Sequence, residues 1–142
     1  MKLLKFAAID IGTNAIRLLF SNIIENGNSV MIKKSSITRV PIRLGADVFT
    51  NGEIGIVLEE KLISAMIAFK HLMKVHDVVK YRACATSAMR EAKNGKQIVK
   101  LVKERAGINI DIIDGKTEAE IIYHNRVVEM LDSNIPYLYV DI

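Results

Sequence analysis

The sequence is poor in the features that mark secreted, membrane-spanning and nucleic-acid-binding chains. Its one cysteine, Cys84, lies in an apolar run, which predicts a buried reduced thiol and excludes a disulfide framework. No apolar run approaches the length that spans a membrane, and the N-terminal segment is interrupted by Lys5 and Asp10, unlike a signal peptide. Basic residues are scattered and do not alternate with aromatics. We therefore expect a cytoplasmic protein with no membrane and no nucleic-acid partner.

Composition points to an ordinary folded domain. The 142 residues are long enough for one domain with a real core, and half of them are hydrophobic while a quarter are charged. Disorder is therefore not expected. The net charge of +4 fits an anionic substrate without requiring one.

Near the N-terminus, an apolar strand reaches Asp10, breaks at Gly12-Thr13-Asn14 and resumes as a second apolar strand. A glycine lets the backbone approach a ligand closely, and successive N–H groups in such a turn can cradle a phosphate. Asp10 ends the first strand where a carboxylate oxygen can hold a metal ion. The alternative is an ordinary hairpin turn, because Gly-Thr-Asn is also good turn chemistry.

The hydrophobic pattern predicts an α/β fold. Strands alternate with helices after an initial run of three strands, which favours one mixed sheet with helices on both faces. The predicted strands are 6–11, 15–24, 29–37, 79–85, 109–113 and 137–142, and the predicted helices are 55–76, 87–92, 95–106 and 115–131. The first helix has an apolar stripe of Leu58, Leu62, Met66, Phe69 and Met73. Gly107 is expected to end the third helix in a left-handed conformation, and residues 114–117 are expected to cap the fourth. A loop punctuated by Pro41 and Gly45 is expected over residues 39–45.

The end of the chain repeats its beginning. Val140-Asp141-Ile142 has the pattern of Ile9-Asp10-Ile11, which suggests two related halves that each open with a strand and an aspartate. We therefore expect a first lobe over residues 1–133, and residues 134–142 as the opening strand of a truncated second lobe. Without a native partner strand, residues 137–142 are expected to fray or to pair elsewhere.

Five ordered segments resemble the exopolyphosphatase and guanosine pentaphosphate phosphatase (Ppx/GppA) family. They run from the glycine turn to the C-terminus, and the set is specific although each segment alone is weak. The segments are Ile9-Asp10-Ile11-Gly12-Thr13-Asn14-Ala15-Ile16-Arg17, Arg39-Val40-Pro41-Ile42-Arg43-Leu44-Gly45, Ala85-Thr86-Ser87-Ala88-Met89-Arg90-Glu91-Ala92, Ile113-Asp114-Gly115-Lys116-Thr117-Glu118-Ala119 and Val140-Asp141-Ile142.

The resemblance implies a ribonuclease-H-like (actin-like) lobe with a mixed five-stranded sheet. It implies a hydrolase that removes terminal phosphate from inorganic polyphosphate or guanosine pentaphosphate, with Mg²⁺ as cofactor and with this lobe inactive alone. The implied partners are polyphosphate or a guanosine penta- or tetraphosphate, and a homodimer is compatible with the resemblance. Two alternatives stay open: an actin-like phosphotransferase of the sugar or acetate kinase type, and a non-catalytic phosphate-sensing module.

The resemblance also assigns site residues. Glu118 is the candidate general base, although the residues alone favour a first-turn glutamate that stabilises the helix dipole. The family often has a second glutamate where this chain has Thr117, and Glu120 does not share a face with Glu118. The candidate phosphate-binding residues are Gly12, Thr13, Asn14, Arg17, Arg39, Arg43 and Arg90, and the candidate metal ligands are Asp10 and Asp141. For the arginines the alternative is a solvated surface role.

Overall fold

The computed structural model of the chain describes residues 2–27 and 29–126, without the side chains of residues 29 and 122–126. Within these residues five strands and five helices follow one another. In chain order they are β1 (Lys2–Ile11), β2 (Ile16–Asn26), β3 (Ser29–Val40), α1 (Leu44–Asn51), α2 (Ile56–Val75), β4 (Lys80–Ala85), α3 (Ser87–Glu91), α4 (Gly95–Ala106), β5 (Asp111–Ile112) and α5 (Gly115–Arg126).

The strands form one mixed five-stranded sheet, as the sequence predicts. Its order is β3-β2-β1-β4-β5. Strands β1 and β2 are antiparallel, as are β2 and β3, whereas β4 lies parallel to both β1 and β5. The carboxyl ends of β1, β4 and β5 therefore meet at one edge of the sheet, where ligands bind in open α/β folds.

One face of the sheet forms the core. Ile9 and Ile11 of β1 and Leu18 of β2 are buried there, in one apolar cluster with the inner stripe of α2. That stripe consists of Leu62, Met66, Phe69 and Met73, the helical spacing that the sequence predicts. The opposite face carries Ala8, which is exposed, and Asp10, which is half-buried. The described residues therefore do not test whether a helix covers this second face.

Helix α4 packs against α2, and an ion pair joins the two. The Arg105 guanidinium donates hydrogen bonds of 2.6 and 3.1 Å to the two carboxylate oxygens of Glu60. These bonds hold the pKa of Glu60 below its ordinary value. Helix α4 ends at Gly107, which has the left-handed conformation that its position predicted. Among the described residues, no helix combines the length and the apolar character needed to cross a membrane.

The loop predicted over residues 39–45 is confined to residues 41–43 in the structure, so its predicted bounds were wrong. Strand β3 continues through Arg39 to Val40, so Arg39 lies in a strand, and α1 begins at Leu44 directly after Arg43. Arg43 precedes the helix in a left-handed conformation with φ 62°. The prediction was wrong because Pro41 and Gly45 look like loop residues, whereas both are tolerated beside and within the first turn of a helix.

The segment that follows α1 is hydrogen-bonded to the segment that follows α3. The Asn94 side-chain amide donates 2.8 Å to the Ile54 carbonyl, and its oxygen accepts 3.0 Å from the Ile54 N–H. In addition, Lys93 N–H donates to the carbonyl of Gly52 at 3.0 Å. The α1–α2 connection is therefore held against the α3–α4 connection by three hydrogen bonds.

Several predictions fall on residues that the structure does not describe. The domain boundary between residues 133 and 134, the strand 137–142 and the metal ligand Asp141 all lie outside the described residues. They stay predictions.

Candidate functional site

The glycine turn, residues 12–15, connects β1 to β2. The Gly12 N–H donates to the Ala15 carbonyl at 3.1 Å, which closes the turn. A Cβ at position 12 would lie only 3.2 Å from the Ala15 carbonyl oxygen. A side chain at this position would therefore crowd the turn, which favours the glycine found here.

Two other segments hold the glycine turn in place. The Thr13 carbonyl accepts 3.0 Å from the N–H of Gly45, and the Asn14 carbonyl accepts 3.1 Å from the N–H of Arg43. From the other side, Thr13 Oγ1 and Ser87 Oγ share a hydrogen bond of 2.8 Å. The turn therefore contacts the start of α1 and the start of α3. This bond was not predicted, because nothing in a sequence shows which hydroxyl will meet Thr13.

Gly45 permits the close approach of α1. A Cβ at this position would overlap the Thr13 methyl group and lie 3.0 Å from the Phe49 ring. The first turn of α1 therefore lies directly against the glycine turn. This contact was not predicted, because α1 was not predicted. The apolar pair Leu44 and Val48, four residues apart, was the available signal.

Arg90 and Glu118 lie side by side. One guanidinium nitrogen of Arg90, Nη1, donates 2.9 Å to the Ile113 carbonyl and lies 3.8 Å from Glu118 Oε2. Its Nε lies 3.6 Å from Glu91 Oε1. The side chains of Arg90 and Glu118 are 31% and 34% exposed, so both face solvent while remaining anchored. This pairing was not predicted, since the residues are 28 positions apart and nothing in their spacing links them.

Asp114 fixes the first turn of α5, as its sequence predicts. Its Oδ1 accepts 2.7 Å from the Thr117 N–H, and its carbonyl accepts 3.0 Å from the Glu118 N–H. The hydrogen bonds from Thr117 hold the pKa of Asp114 below its ordinary value. Glu118 is thus carried by a capped helix end beside the last strand of the sheet.

Asp10 is paired with Arg17 on the neighbouring strand. Arg17 Nη1 donates 2.7 Å to Asp10 Oδ2, and both side chains are about half exposed. Arg39 of β3 stands opposite Arg17 of β2 in the antiparallel pair that these two strands form. A carboxylate has further lone pairs, so the ion pair leaves Asp10 capable of binding a cation. Among the described residues, no three of the types His, Cys, Asp and Glu are grouped as a metal site would be.

Cys84 lies beside Asp10 in the parallel pair of β4 and β1. It is half-buried and free, and burial raises the pKa of its thiol. Cys84 is therefore a free thiol, as predicted, but it is not fully buried as the apolar run had indicated. His76 stacks on Phe20 with ring centroids 4.2 Å apart, which places it in packing as well.

The structure thus brings together some of the predicted residues. Thr13, Asn14 and Arg43 meet at the glycine turn, and Arg90 meets Glu118. Arg17 and Asp10 meet on the second face of the sheet, with Arg39 opposite Arg17. Arg39 and Arg43 are exposed.

Comparison with known proteins identifies the relatives of this chain. Residues 23–142 match the model of the Ppx/GppA phosphatase family. Exopolyphosphatase 2 of Mycobacterium tuberculosis is 28% identical over all of this chain and 46% of its own length. A bifunctional 3-dehydroquinate synthase/phosphatase of Fusobacterium nucleatum is 30% identical over 81% of this chain and 18% of its own length. This chain therefore spans less than half of these curated relatives.

Solved structures agree with this result. The Ppx/GppA family member of Aquifex aeolicus superposes with a TM-score of 0.79 at 26% identity, over 86% of this chain and 39% of that protein. An exopolyphosphatase of Cytophaga hutchinsonii gives 0.75 at 26% identity, over 82% of this chain and 36% of that protein. The predicted ribonuclease-H-like (actin-like) lobe is thereby confirmed.

Proposed function

Because this chain belongs to the Ppx/GppA phosphatase family, we propose that it forms the first lobe of a phosphoanhydride hydrolase. The reaction removes the terminal phosphate from inorganic polyphosphate or from guanosine pentaphosphate. The second lobe lies beyond the part of the relatives that this chain matches, and it supplies the other wall of the active site.

One observation carries this proposal: a continuous set of contacts runs from the glycine turn to a carboxylate. Thr13 of the turn binds Ser87 at the start of α3, and Arg90 of the same short helix lies 3.8 Å from Glu118. Turn amides, an arginine and a carboxylate are the three kinds of group that phosphoryl transfer to water needs. They lie at the edge where the parallel strands end.

Each group has a role in the proposed reaction. Glu118 accepts a proton from the attacking water, because a half-exposed carboxylate at a fixed helix end can act as a general base. The amides of Thr13 and Asn14 face the phosphate oxygens, while the Gly12 N–H closes the turn on the Ala15 carbonyl. The arginines supply positive charge to a polyanionic substrate, either as bidentate forks or as a local field. They are Arg17, Arg39, Arg43 and Arg90.

Mg²⁺ is the proposed cofactor. Asp10 fits such a role, because carboxylate oxygen is a hard ligand and its ion pair with Arg17 leaves lone pairs for a cation that keeps most of its waters. Asp141, outside the described residues, is the proposed second ligand. A bound Mg²⁺ would neutralise charge on the phosphoryl oxygens.

The test is phosphate release from polyphosphate and from guanosine pentaphosphate with Mg²⁺. We expect turnover by the two-lobed protein and none by residues 1–142 alone, because this reaction depends on positioning and half of the cradle lies on the other lobe. Comparing the rates of phosphate release from the two compounds shows which of them is the substrate. Turnover by this chain alone at the rate of the longer protein would refute the two-lobed site.

A further inference from the structure

Thr13 of the glycine turn and Ser87, the first residue of α3, form a pair of hydroxyl groups. Thr13 Oγ1 and Ser87 Oγ lie 2.8 Å apart, and either oxygen can be the donor. Each hydroxyl has one proton to donate and two lone pairs that accept. Within residues 2–27 and 29–126, neither hydroxyl makes another hydrogen bond. One proton of the pair is therefore used between the two oxygens, and the second has no acceptor in this part of the chain.

The Thr13 side chain is held in one orientation by contacts on two sides. Its methyl group lies so close to Gly45 of α1 that a Cβ at position 45 would overlap it. Its hydroxyl meets Ser87 of α3. Because threonine is β-branched, a single torsion angle places both the methyl group and the hydroxyl, and the two contacts together define that angle. The hydroxyl oxygen of Thr13 is therefore fixed between α1 and α3.

The backbone beside this hydroxyl is fixed as well. The Thr13 carbonyl accepts 3.0 Å from the Gly45 N–H of α1. A trans peptide unit is planar, with its C=O and N–H on opposite sides, so the Asn14 N–H points away from that bond. Within the described residues this N–H makes no hydrogen bond. A phosphate at the turn thus meets an amide and a hydroxyl whose positions are set before the phosphate arrives.

We infer that Ser87 is a positioning residue for the reaction proposed above, and the inference rests on that proposed function. The Ser87 hydroxyl donates to Thr13 Oγ1, and the Thr13 hydroxyl donates its own proton to an oxygen of the phosphate at the turn. Deprotonated phosphate oxygens only accept, so the hydroxyl that contacts them donates to them and accepts from the other hydroxyl. Thr13 is that hydroxyl, because it belongs to the turn, whereas Ser87 is joined to the turn through Thr13.

This order of donation strengthens the bond to phosphate. A hydroxyl that accepts a hydrogen bond becomes a better donor, because hydrogen bonds in a chain polarise one another. The bond also ends on an anionic oxygen, where hydrogen bonds are roughly twice as strong as between neutral groups. Without the Ser87 hydroxyl, Thr13 keeps its proton but loses the bond that polarises it. Removing that hydroxyl should therefore weaken phosphate binding without abolishing it.

The first test is a double-mutant cycle on affinity in the two-lobed protein. The probe is methylenediphosphonate, whose P–C–P link is not hydrolysed, and its dissociation constant is measured by calorimetric titration. We expect Thr13→Val to weaken binding about ten- to a hundredfold, because it removes a hydrogen bond to a charged group while keeping a branched side chain. We expect Ser87→Ala to weaken binding about two- to tenfold, and to have no further effect in the Thr13→Val background.

Two further variants separate this role from a structural one, with melting temperatures recorded to show that each protein is folded. Ser87→Thr retains a hydroxyl and should restore most of the affinity that Ser87→Ala loses. Ser64→Ala removes an exposed hydroxyl from α2 and should leave the affinity unchanged. Unchanged affinity in Ser87→Ala would overturn the inference. So would a loss in Ser87→Ala that is equally large in the Thr13→Val background, or a loss in Ser87→Thr as large as in Ser87→Ala.

The second test is phosphate release from polyphosphate by the same variants. We expect kcat/KM to fall from wild type to Ser87→Ala and further to Thr13→Val. Release that Ser87→Ala leaves unchanged in an active protein would overturn the inference and leave the proposed function standing. A wild-type protein that binds methylenediphosphonate but releases no phosphate would refute the proposed function, while the affinity cycle still decides the role of Ser87. A wild-type protein that does not bind the probe would overturn the inference.

Discussion

Arg90 lies 3.8 Å from the carboxylate of Glu118 and donates a 2.9 Å hydrogen bond to the Ile113 carbonyl just before α5. The same arginine therefore contacts the end of the last strand and the proposed general base. Its contacts hold the start of α5 against α3. The Arg90 guanidinium therefore affects both the position of the Glu118 carboxylate and the positive charge near a bound phosphate.

Glu118→Gln in the two-lobed protein should abolish most hydrolysis while the protein still folds and binds substrate. Loss of a positioned general base lowers the rate by about a hundredfold to ten-thousandfold. Glu120→Gln is the matched control, because this glutamate is exposed two residues further along α5. Steady-state phosphate release measures both. A larger loss of hydrolysis in Glu120→Gln than in Glu118→Gln would indicate that Glu120 is the general base.

Arg90→Ala should weaken substrate binding in the two-lobed protein, and more at low than at high salt. Direct charge contacts with a phosphate are screened as ionic strength rises. The variant also leaves the buried Ile113 carbonyl without its donor, at about 1–3 kcal/mol of folding free energy. Arg82→Ala, which removes an exposed arginine of β4, is the control. If the affinity of Arg90→Ala for substrate is unchanged at every salt concentration, Arg90 has a purely structural role.

Asp114→Ala should lower the melting temperature at neutral pH, because the Thr117 N–H loses its acceptor. The pKa of Asp114 is lowered by folding, so its contribution to stability is present above the unfolded pKa of about 4 and is lost as the pH falls through the lower folded value. The difference in melting temperature between wild type and variant should therefore shrink below about pH 4. Asp114→Asn, which retains a cap, should stay close to wild type at neutral pH. A difference that is constant from pH 7 to pH 3 would contradict the linkage.

Gly45→Ala should destabilise the fold and disturb the glycine turn. The added methyl group overlaps Thr13, so the first turn of α1 must move away, at a cost of about 1–3 kcal/mol. Gly115→Ala is the control, since no atom lies within 4 Å of the position of its Cβ. Chemical denaturation measures both. Equal stability of the two variants would show that α1 does not approach the turn closely.

The sequence was informative where a local pattern decides the structure. The stripe from Leu62 to Met73 predicted α2, Gly107 predicted the end of α4, and Asp114 predicted the start of α5. In each case the signal is local and lies within about three helical turns. The succession of strands and helices predicted one mixed sheet, and the family resemblance implied that it has five strands, but the order of the strands was not predicted.

Contacts between distant segments were not predictable in the same way. The bond between Thr13 and Ser87 joins residues 74 positions apart, and the pairing of Asp10 with Arg17 depends on strand register. Helix α1 was missed because its eight residues contain only two buried apolar side chains, Leu44 and Val48, besides a glycine. Short elements held by tertiary contacts carry little periodicity of their own.

The amide bridge between Asn94 and Ile54 has a consequence for the chemical ageing of the protein. Asn94 is followed by Gly95, the dipeptide in which an asparagine side chain most readily cyclises with the next backbone nitrogen and deamidates. Here both ends of the side-chain amide are engaged by Ile54, and the Gly95 N–H donates 3.0 Å to the Ala92 carbonyl. The folded chain therefore protects Asn94 from succinimide formation. Conversion to aspartate would replace the donor that faces the Ile54 carbonyl with a carboxylate oxygen, so an opened bridge could not close again as before.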